Sequence, residues 1–433
     1  MMDSGILGRE TGSRGFAFTL SPQLILCLMM LIFAVLEFYP TNYRLSSAWF
    51  FGMSFVGLSW LFIFPKTVVL GKANFEALFF LVFWLIYSLI GYLWAVDKSA
   101  VLEYSYLIFR YLITFMIFEI FLRNNPAILA KGHYFLMFIV GVYFLTALWE
   151  IITFSHLPSS RLYQNPMPIP TGPFYNENNL AAFLLMLFPV MLFFARLVPN
   201  IWGKIISVSS TVLFLAVITI QGARIAMLIS AAALGVFFIF FMKRRYRLLS
   251  LVGIALALLM FVQLFPVQAK IGAGLLEHEL GSLRSETETV KMSSVKIRKH
   301  LIGEVLELTA ESKFMGLGGG NIERHMSTDR THRTAGIINA HNWMLELMGN
   351  FGIIPLFIFV YIYLKWLHLL WQKYRESEGR LKTLYMSYIL VLILFIPASV
   401  LPSSICWYNN YWIVFAAINA LCHTPSSQIK EHV

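Results

Sequence analysis

The chain has 433 residues, 58% of them hydrophobic and only 13% charged, with a mean hydropathy of +0.72. A water-soluble domain carries nearer a quarter of charged residues, so this composition excludes a globule with a water-facing surface. The net charge of +11 raises the question of a nucleic-acid partner, which its placement along the chain answers below.

Apolar runs long enough for a ~30 Å hydrocarbon core recur from end to end. They predict an all-α polytopic membrane protein with about twelve spans: 20–38, 48–64, 75–95, 102–122, 134–154, 180–195, 204–221, 225–242, 248–266, 351–371, 385–401 and 408–422. Residues 1–19 are polar and weakly basic, and the run after them is long enough to stay as an anchor, so no cleaved signal peptide is expected. Short loops on one side of these spans carry Lys66, Lys72, Arg123, Lys131, Arg196, Lys204, the KRRYR run at 243–247, Lys373, Arg375, Arg380 and Lys382. Those on the other side carry only Arg44, Lys98, Arg161 and Arg224. Positive charge collects on the cytoplasmic side of membrane proteins, which places both termini inside. The basic balance is then a matter of topology, and no nucleic acid is implied.

Three regions follow: spans one to nine in residues 1–266, a large outer domain at 267–350, and the last three spans with a cytoplasmic tail in 351–433. A Pro- and Asn-rich outer loop occupies 155–179. The large domain contains half of the ten histidines. Within it Ile297, Leu301, Val305 and Leu308 fall at helical spacing, predicting an amphipathic helix over 294–311 that lies against the membrane. GLGGGN at 316–321 ends it in a flexible or tight turn. That run lacks the Lys-Ser/Thr of a nucleotide-binding loop. Cys27, Cys406 and Cys422 form no CxxC pair, and the spacing of His325, His332 and His341 matches no standard metal site. Neither a metal nor another cofactor is expected.

The residues that could carry chemistry sit mostly on the outer face. His341 stands just before a long helix, and a neutral imidazole there can take a proton from a hydroxyl; equally, it could hydrogen-bond nearby backbone. Arg224, at the mouth of the eighth span, can grip a phosphate with two N–H groups or snorkel at the interface. Arg298 can do the same or meet anionic headgroups. Arg110 lies within the fourth span, where charge is expensive. It could hold a further phosphate oxygen or pair with an interior acid such as Glu119 or Glu150. Asn176, Glu177 and Asn178 begin the sixth span, where they could cap the helix or bind sugar hydroxyls. Asn342 and Glu346, the latter one helical turn further on, would orient the surroundings of His341.

Taken together, these residues resemble the O-antigen ligase and polysaccharide polymerase superfamily. Its His-Asn pair, separated by nine residues from a Gly, resembles His341-Asn342 and Gly352. Its Asn-x-Asn-x-x-Ala segment looks like Asn176, Asn178 and Ala181, and its loop arginine before a Gly-rich turn looks like Arg298. The Ser-Arg-Gly element is matched only by Arg224 within QGAR. The stretch GLGGGNIERHM…NAHNWMLELMGNFG is similar to the branch associated with teichuronic acid and other Gram-positive wall polysaccharides.

The resemblance implies a metal-independent, inverting membrane glycosyltransferase. It would use a polyprenyl-pyrophosphate-linked glycan donor, undecaprenyl pyrophosphate being the carrier, and a glycan or lipid-linked acceptor. His341 would be the general base, Arg224 and Arg298 the pyrophosphate ligands, with Asn176, Glu177, Asn178 and Arg110 in support. A flippase and a chain-length regulator would be partners, with membrane lipid. The expected activity is polymerisation at the outer face of the bacterial cytoplasmic membrane. The alternatives are a ligase passing glycan to lipid A-core and a polysaccharide transporter, although no internal repeat of the kind common in transporters appears.

Overall fold

The computed structural model describes residues 22–38, 43–63, 75–242, 294–329, 334 and 336–433, together with single helical positions at 248, 252, 255, 259 and 263. Every regular element among the described residues is helical. Eight helices are long and apolar enough to cross a membrane, so the chain is an all-α multi-pass membrane protein.

In chain order the first helices are α1 (Pro22–Phe38), α2 (Tyr43–Ile63), α3 (Phe75–Ile90, extended by the 3-10 turn Gly91–Leu93) and α4 (Lys98–Asn124). Then come the short α5 (Pro126–Ala130), α6 (Gly132–Thr153), α7 (Glu177–Leu197), α8 (Ile201–Ile220) and α9 (Arg224–Val236, ending in a π turn at Phe237–Phe241). The predicted span 248–266 and the first part of the large loop, 267–293, lie outside the described residues apart from the single positions named above. After them come α10 (Ser294–Glu311), α11 (Asn321–Asp329), α12 (Trp343–Phe351), α13 (Ile353–Glu376), α14 (Gly379–Ala398), α15 (Asn410–His423) and the short α16 (Ser426–Lys430).

Helix α7 forms the middle of the bundle: Leu180 to Met191 is fully buried, packed by α14 and α8. Such a helix is apolar all round because no face meets headgroup or water. Aromatic rings fill the space between α3, α4 and α15, where Tyr111 stacks on Trp412 with centroids 5.2 Å apart and Trp84 meets both.

Two features differ from expectation for physical reasons. Gly352 adopts φ 82° and ends α12, so His341 precedes a nine-residue helix rather than one long span. The apolar stripe of α10 does not face lipid. Leu301, Val305 and Leu308 are buried against Ile322, Met326 and Ala340 in a small core of their own, which removes apolar area from water more completely than an interfacial helix would.

Candidate active site

All the loops that carry the sequence-predicted residues gather at one end of the bundle. The glycine-rich turn is pinned there: Trp94 donates from its indole to the Gly316 carbonyl at 2.8 Å. The Asn321 side chain both accepts from the Asp97 amide at 2.7 Å and donates to the Asp97 carbonyl at 3.1 Å. Leu317 and Gly318 donate their amides to the carbonyls of Gly349 and Asn350, each at 2.9 Å. The turn is therefore tight, and it works as a clamp between the α3–α4 corner and the end of α12. Gly316 sits at φ 84° with the backbone of Gly352 and Asn350 where a Cβ would go, so glycine is required.

His341 is held in the left-handed region, φ 46°, a conformation that costs of order 1–3 kcal/mol for a non-glycine residue and persists only where its surroundings impose it. Upstream, Asn339 donates to Glu323 of α11 at 2.6 Å. Downstream, Asn342 caps α12 by accepting from the amides of Met344 at 2.9 Å and Leu345 at 3.2 Å, the standard role of an Asn at that position. Nδ1 of His341 is buried with no hydrogen-bond partner. Burial pushes the imidazole pKa down to about 4, the nearby Arg298 charge adds to this, and hydrogen bonding with the backbone of Leu401 and Pro402 opposes it. The ring is thus neutral at pH 7, with a lone pair available. Buried polar atoms without partners are uncommon and ask for an explanation; an incoming hydroxyl supplies one.

Arg298, on α10, and Arg224, the first residue of α9, come together. Burial lowers the Arg298 pKa and the Arg224 charge lowers it further. Two guanidinium groups that feel each other, one also acting on His341, form a positive field suited to an anion. The fold that brings them together is the turn at 221–223, where Gly222 takes φ 64° and Gln221 donates to the Pro170 carbonyl at 2.8 Å. That contact ties the mouth of α9 to the 155–179 loop.

Glu346 is fully enclosed and does not touch His341. It accepts from the Ser404 hydroxyl and from the Ile405 amide at 3.2 Å. Burial raises its pKa to about 7, against which Ser404 and Ile405 pull downward. It holds the 399–409 segment, whose Leu401 and Pro402 face the His341 ring. That segment was not singled out in the sequence. It also receives Trp343, whose amide donates to the Ser399 carbonyl at 3.3 Å, and Asn176, which donates to Ser403 at 3.1 Å. Tyr408 takes a hydrogen bond from Asn179. The only advance signal was a run of serines and asparagines, SSICWYNN, between two apolar helices.

The remaining residues divide. Asn176 caps α7, accepting from the Asn179 amide at 3.0 Å. Glu177 is engaged by Arg161 through two hydrogen bonds of 2.7 and 3.2 Å, and Asn178 is half-buried beside it. Arg110 pairs with an interior acid, but that acid is Glu37, at 3.2 Å, not Glu119 or Glu150. Glu37 also accepts from Asn409 at 3.1 Å. Glu119 is bonded by Asn419. Glu150 is taken up by His156 at 3.0 Å and by the amides of Thr171 and Gly172 at 2.8 and 2.7 Å, so it folds the outer loop back onto α6. The physical reason for the Arg110 pairing is position: α1 packs on α2 and α15 beside α4, which brings Glu37 to the level of Arg110.

Residues 209–360, from α8 into α13 and including Arg224, Arg298 and His341, match the family described as O-Antigen ligase. The chain is 27% identical over 359 residues to the teichuronic acid biosynthesis protein TuaE of Bacillus subtilis (strain 168), covering 79% of this chain and 72% of the relative. The resemblance drawn from the motifs is thereby borne out, and both matches support an enzyme of the polysaccharide polymerase and ligase type.

Proposed function

We propose that this chain polymerises a cell-surface polysaccharide of the teichuronic-acid type. It would transfer glycan from a polyprenyl-pyrophosphate carrier to a sugar hydroxyl at the outer face of the bacterial cytoplasmic membrane. The observation that carries the reading is the buried, unpartnered Nδ1 of His341, in a ring kept neutral beside the coupled Arg298 and Arg224. The acceptor hydroxyl gives its proton to His341 as its oxygen bonds to the anomeric carbon. The carbon–oxygen bond to pyrophosphate breaks on the opposite face, with inversion. The electron pair leaves on the pyrophosphate, whose charge the two guanidinium groups stabilise as it develops. No metal takes part in these steps.

The reaction also describes a ligase, which differs in its acceptor, and the description of the matched family, O-Antigen ligase, supports that as the second reading. The test uses purified protein in lipid with a polyprenyl-pyrophosphate oligosaccharide as both donor and acceptor. A ladder of longer lipid-linked chains, absent with His341→Ala and unchanged after chelation of divalent ions, is the expected result. No ladder, with transfer to a separate lipid acceptor, would make the chain a ligase. No transfer to either would reject the enzyme reading.

A further inference from the structure

His156 and Glu150 are enclosed, their side chains 1% and 0% exposed, and the proposed reaction leaves both unused. The two ring nitrogens of His156 each meet an acceptor: Nδ1 lies 3.0 Å from Glu150 Oε1, and Nε2 lies 2.9 Å from the Met167 carbonyl. A neutral imidazole has one N–H and one lone pair, so it can donate to only one of them. Both contacts are hydrogen bonds only when the pair carries one further proton. That proton sits either on the ring, as imidazolium, or on the carboxyl, which then donates to Nδ1. Glu150 already receives three other donors: the amides of Thr171 and Gly172 on Oε2, at 2.8 and 2.7 Å, and the Thr171 hydroxyl on Oε1 at 2.9 Å. So many donors suit a carboxylate, which places the proton on the ring.

The other charged groups nearby are engaged or distant. Helix α6, which carries Glu150, is packed by α5, α7 and α8. Helix α5 has no charged side chain. Glu177 at the start of α7 is held by Arg161, while Arg196 and Lys204 stand at the far ends of α7 and α8. What the pair fixes is the return of the 155–179 loop. Thr171 and Gly172, the latter at φ 57°, follow Pro170, whose carbonyl accepts from Gln221 at 2.8 Å. Gln221 caps the end of α8, and three residues on Arg224 opens α9. The ion pair thus reaches the Arg224 backbone through one short chain of contacts.

We propose that His156 and Glu150 are positioning residues that share one proton and, through Pro170 and Gln221, hold Arg224 in place for an anionic leaving group. The inference rests on the pyrophosphate role proposed above for Arg224. Removing the proton leaves a ring nitrogen with its lone pair against an acceptor, so one contact opens and the loop loosens. Because the folded pair holds a proton that its opening releases, the stability it contributes is lost as pH rises.

The decisive variant is Glu150→Gln. Its amide oxygen can take the place of Oε2 and accept from both backbone amides. Its –NH2 then donates to Nδ1 of a neutral His156, whose Nε2–H still reaches Met167, and the Thr171 hydroxyl turns to accept. Every contact is kept with no titrating proton. His156→Phe removes the ring's hydrogen bonds altogether. Two measurements run from neutral into alkaline pH on protein in nanodiscs: the apparent Tm, and the affinity for inorganic pyrophosphate by calorimetry, which reports Arg224 without turnover. Wild type should lose Tm and pyrophosphate affinity together as pH rises, and Glu150→Gln should hold both; ionisation of pyrophosphate itself is common to the two and cancels. At neutral pH His156→Phe should bind pyrophosphate more weakly, with kcat/KM for chain extension lower by on the order of 100-fold, the scale of a ~1 Å misplacement. The same alkaline course in wild type and Glu150→Gln, or a Glu150→Gln protein that does not fold, would overturn the shared proton. Unchanged pyrophosphate affinity in His156→Phe would overturn the positioning of Arg224; should that variant not fold, the contrast in affinity between wild type and Glu150→Gln decides the same point. Wild type that binds pyrophosphate yet extends no chains would reject the polymerase reading and leave the latch standing, whereas wild type that binds none would overturn the positioning role.

Discussion

The pH dependence of transfer is the sharpest consequence of the His341 environment. An ordinary histidine titrates near 6.5, whereas burial and the Arg298 charge bring His341 to about 4. At ~1.4 kcal/mol per unit that displacement is roughly 3 kcal/mol against the charged ring. The neutral ring is the active form, so activity is retained as pH falls through 6.5 and is lost only as pH approaches the lowered pKa. The ratio kcat/KM reports the free enzyme, and its acid limb should have a midpoint at about pH 4 to 5. Removing the Arg298 charge with Arg298→Gln takes away one of the two depressing influences, so the limb should move to higher pH. Separately, the rate at neutral pH should fall by on the order of 100-fold, from loss of a donor to the leaving group. Bound pyrophosphate would offset Arg298 in the same sense, placing the limb of kcat above that of kcat/KM. The assay is initial-rate chain extension in proteoliposomes across pH, with samples returned to neutral pH to confirm reversibility. A wild-type kcat/KM midpoint at or above about 6.5, or an Arg298→Gln limb that does not move, would refute the assignment of His341 as a buried neutral base coupled to Arg298.

Other substitutions separate packing from chemistry. Glu346→Gln should be mild, because at neutral pH the carboxyl is already close to half protonated and an amide oxygen still accepts; Glu346→Ala strands the Ser404 hydroxyl and the Ile405 amide, costing about 1–3 kcal/mol and lowering both Tm and transfer. Arg110→Ala leaves Glu37 charged and enclosed, with a cost of about 3–5 kcal/mol that should appear as lost folded yield in detergent. Gly316→Ala puts a Cβ 2.4 Å from the Gly352 nitrogen at φ 84°, so the fold should lose more than ~1 kcal/mol of stability, read as a lowered Tm. Arg161→Gln breaks an ion pair whose arginine is 47% exposed, and unfolding should shift by no more than ~1 kcal/mol.

The membrane helices were legible because lipid imposes a simple rule. A chain in hydrocarbon must satisfy its own backbone, so long apolar runs become helices, and 134–154 reappears as Gly132–Thr153, its ends moved by two residues and one. Hydropathy does not read a break inside an apolar run. The separation of α12 from α13 depends on the backbone angle of Gly352. The stripe on α10 was read correctly as apolar, but periodicity gives a face and not its partner; the partner came from Ile322 and Met326, more than a dozen residues further along.

The site was half legible for a related reason. His341, Arg224 and Arg298 declare their chemistry by residue type, since an imidazole and two guanidinium groups at helix mouths on one face have few other uses in lipid. What tunes them does not. Leu401 and Pro402 act on His341 through their backbone, which every residue has, and Ser404 matters only because Glu346 reaches it. Arg110 is the converse case. Its charge drew attention by type, yet its partner Glu37 lies 73 residues away in sequence, and the pair spends its charge inside the bundle. A charged residue therefore points to function through what surrounds it and not by its charge alone: Arg224 acts on Arg298, and Arg298 on the His341 ring, whereas Arg110 is held by Glu37 inside the bundle.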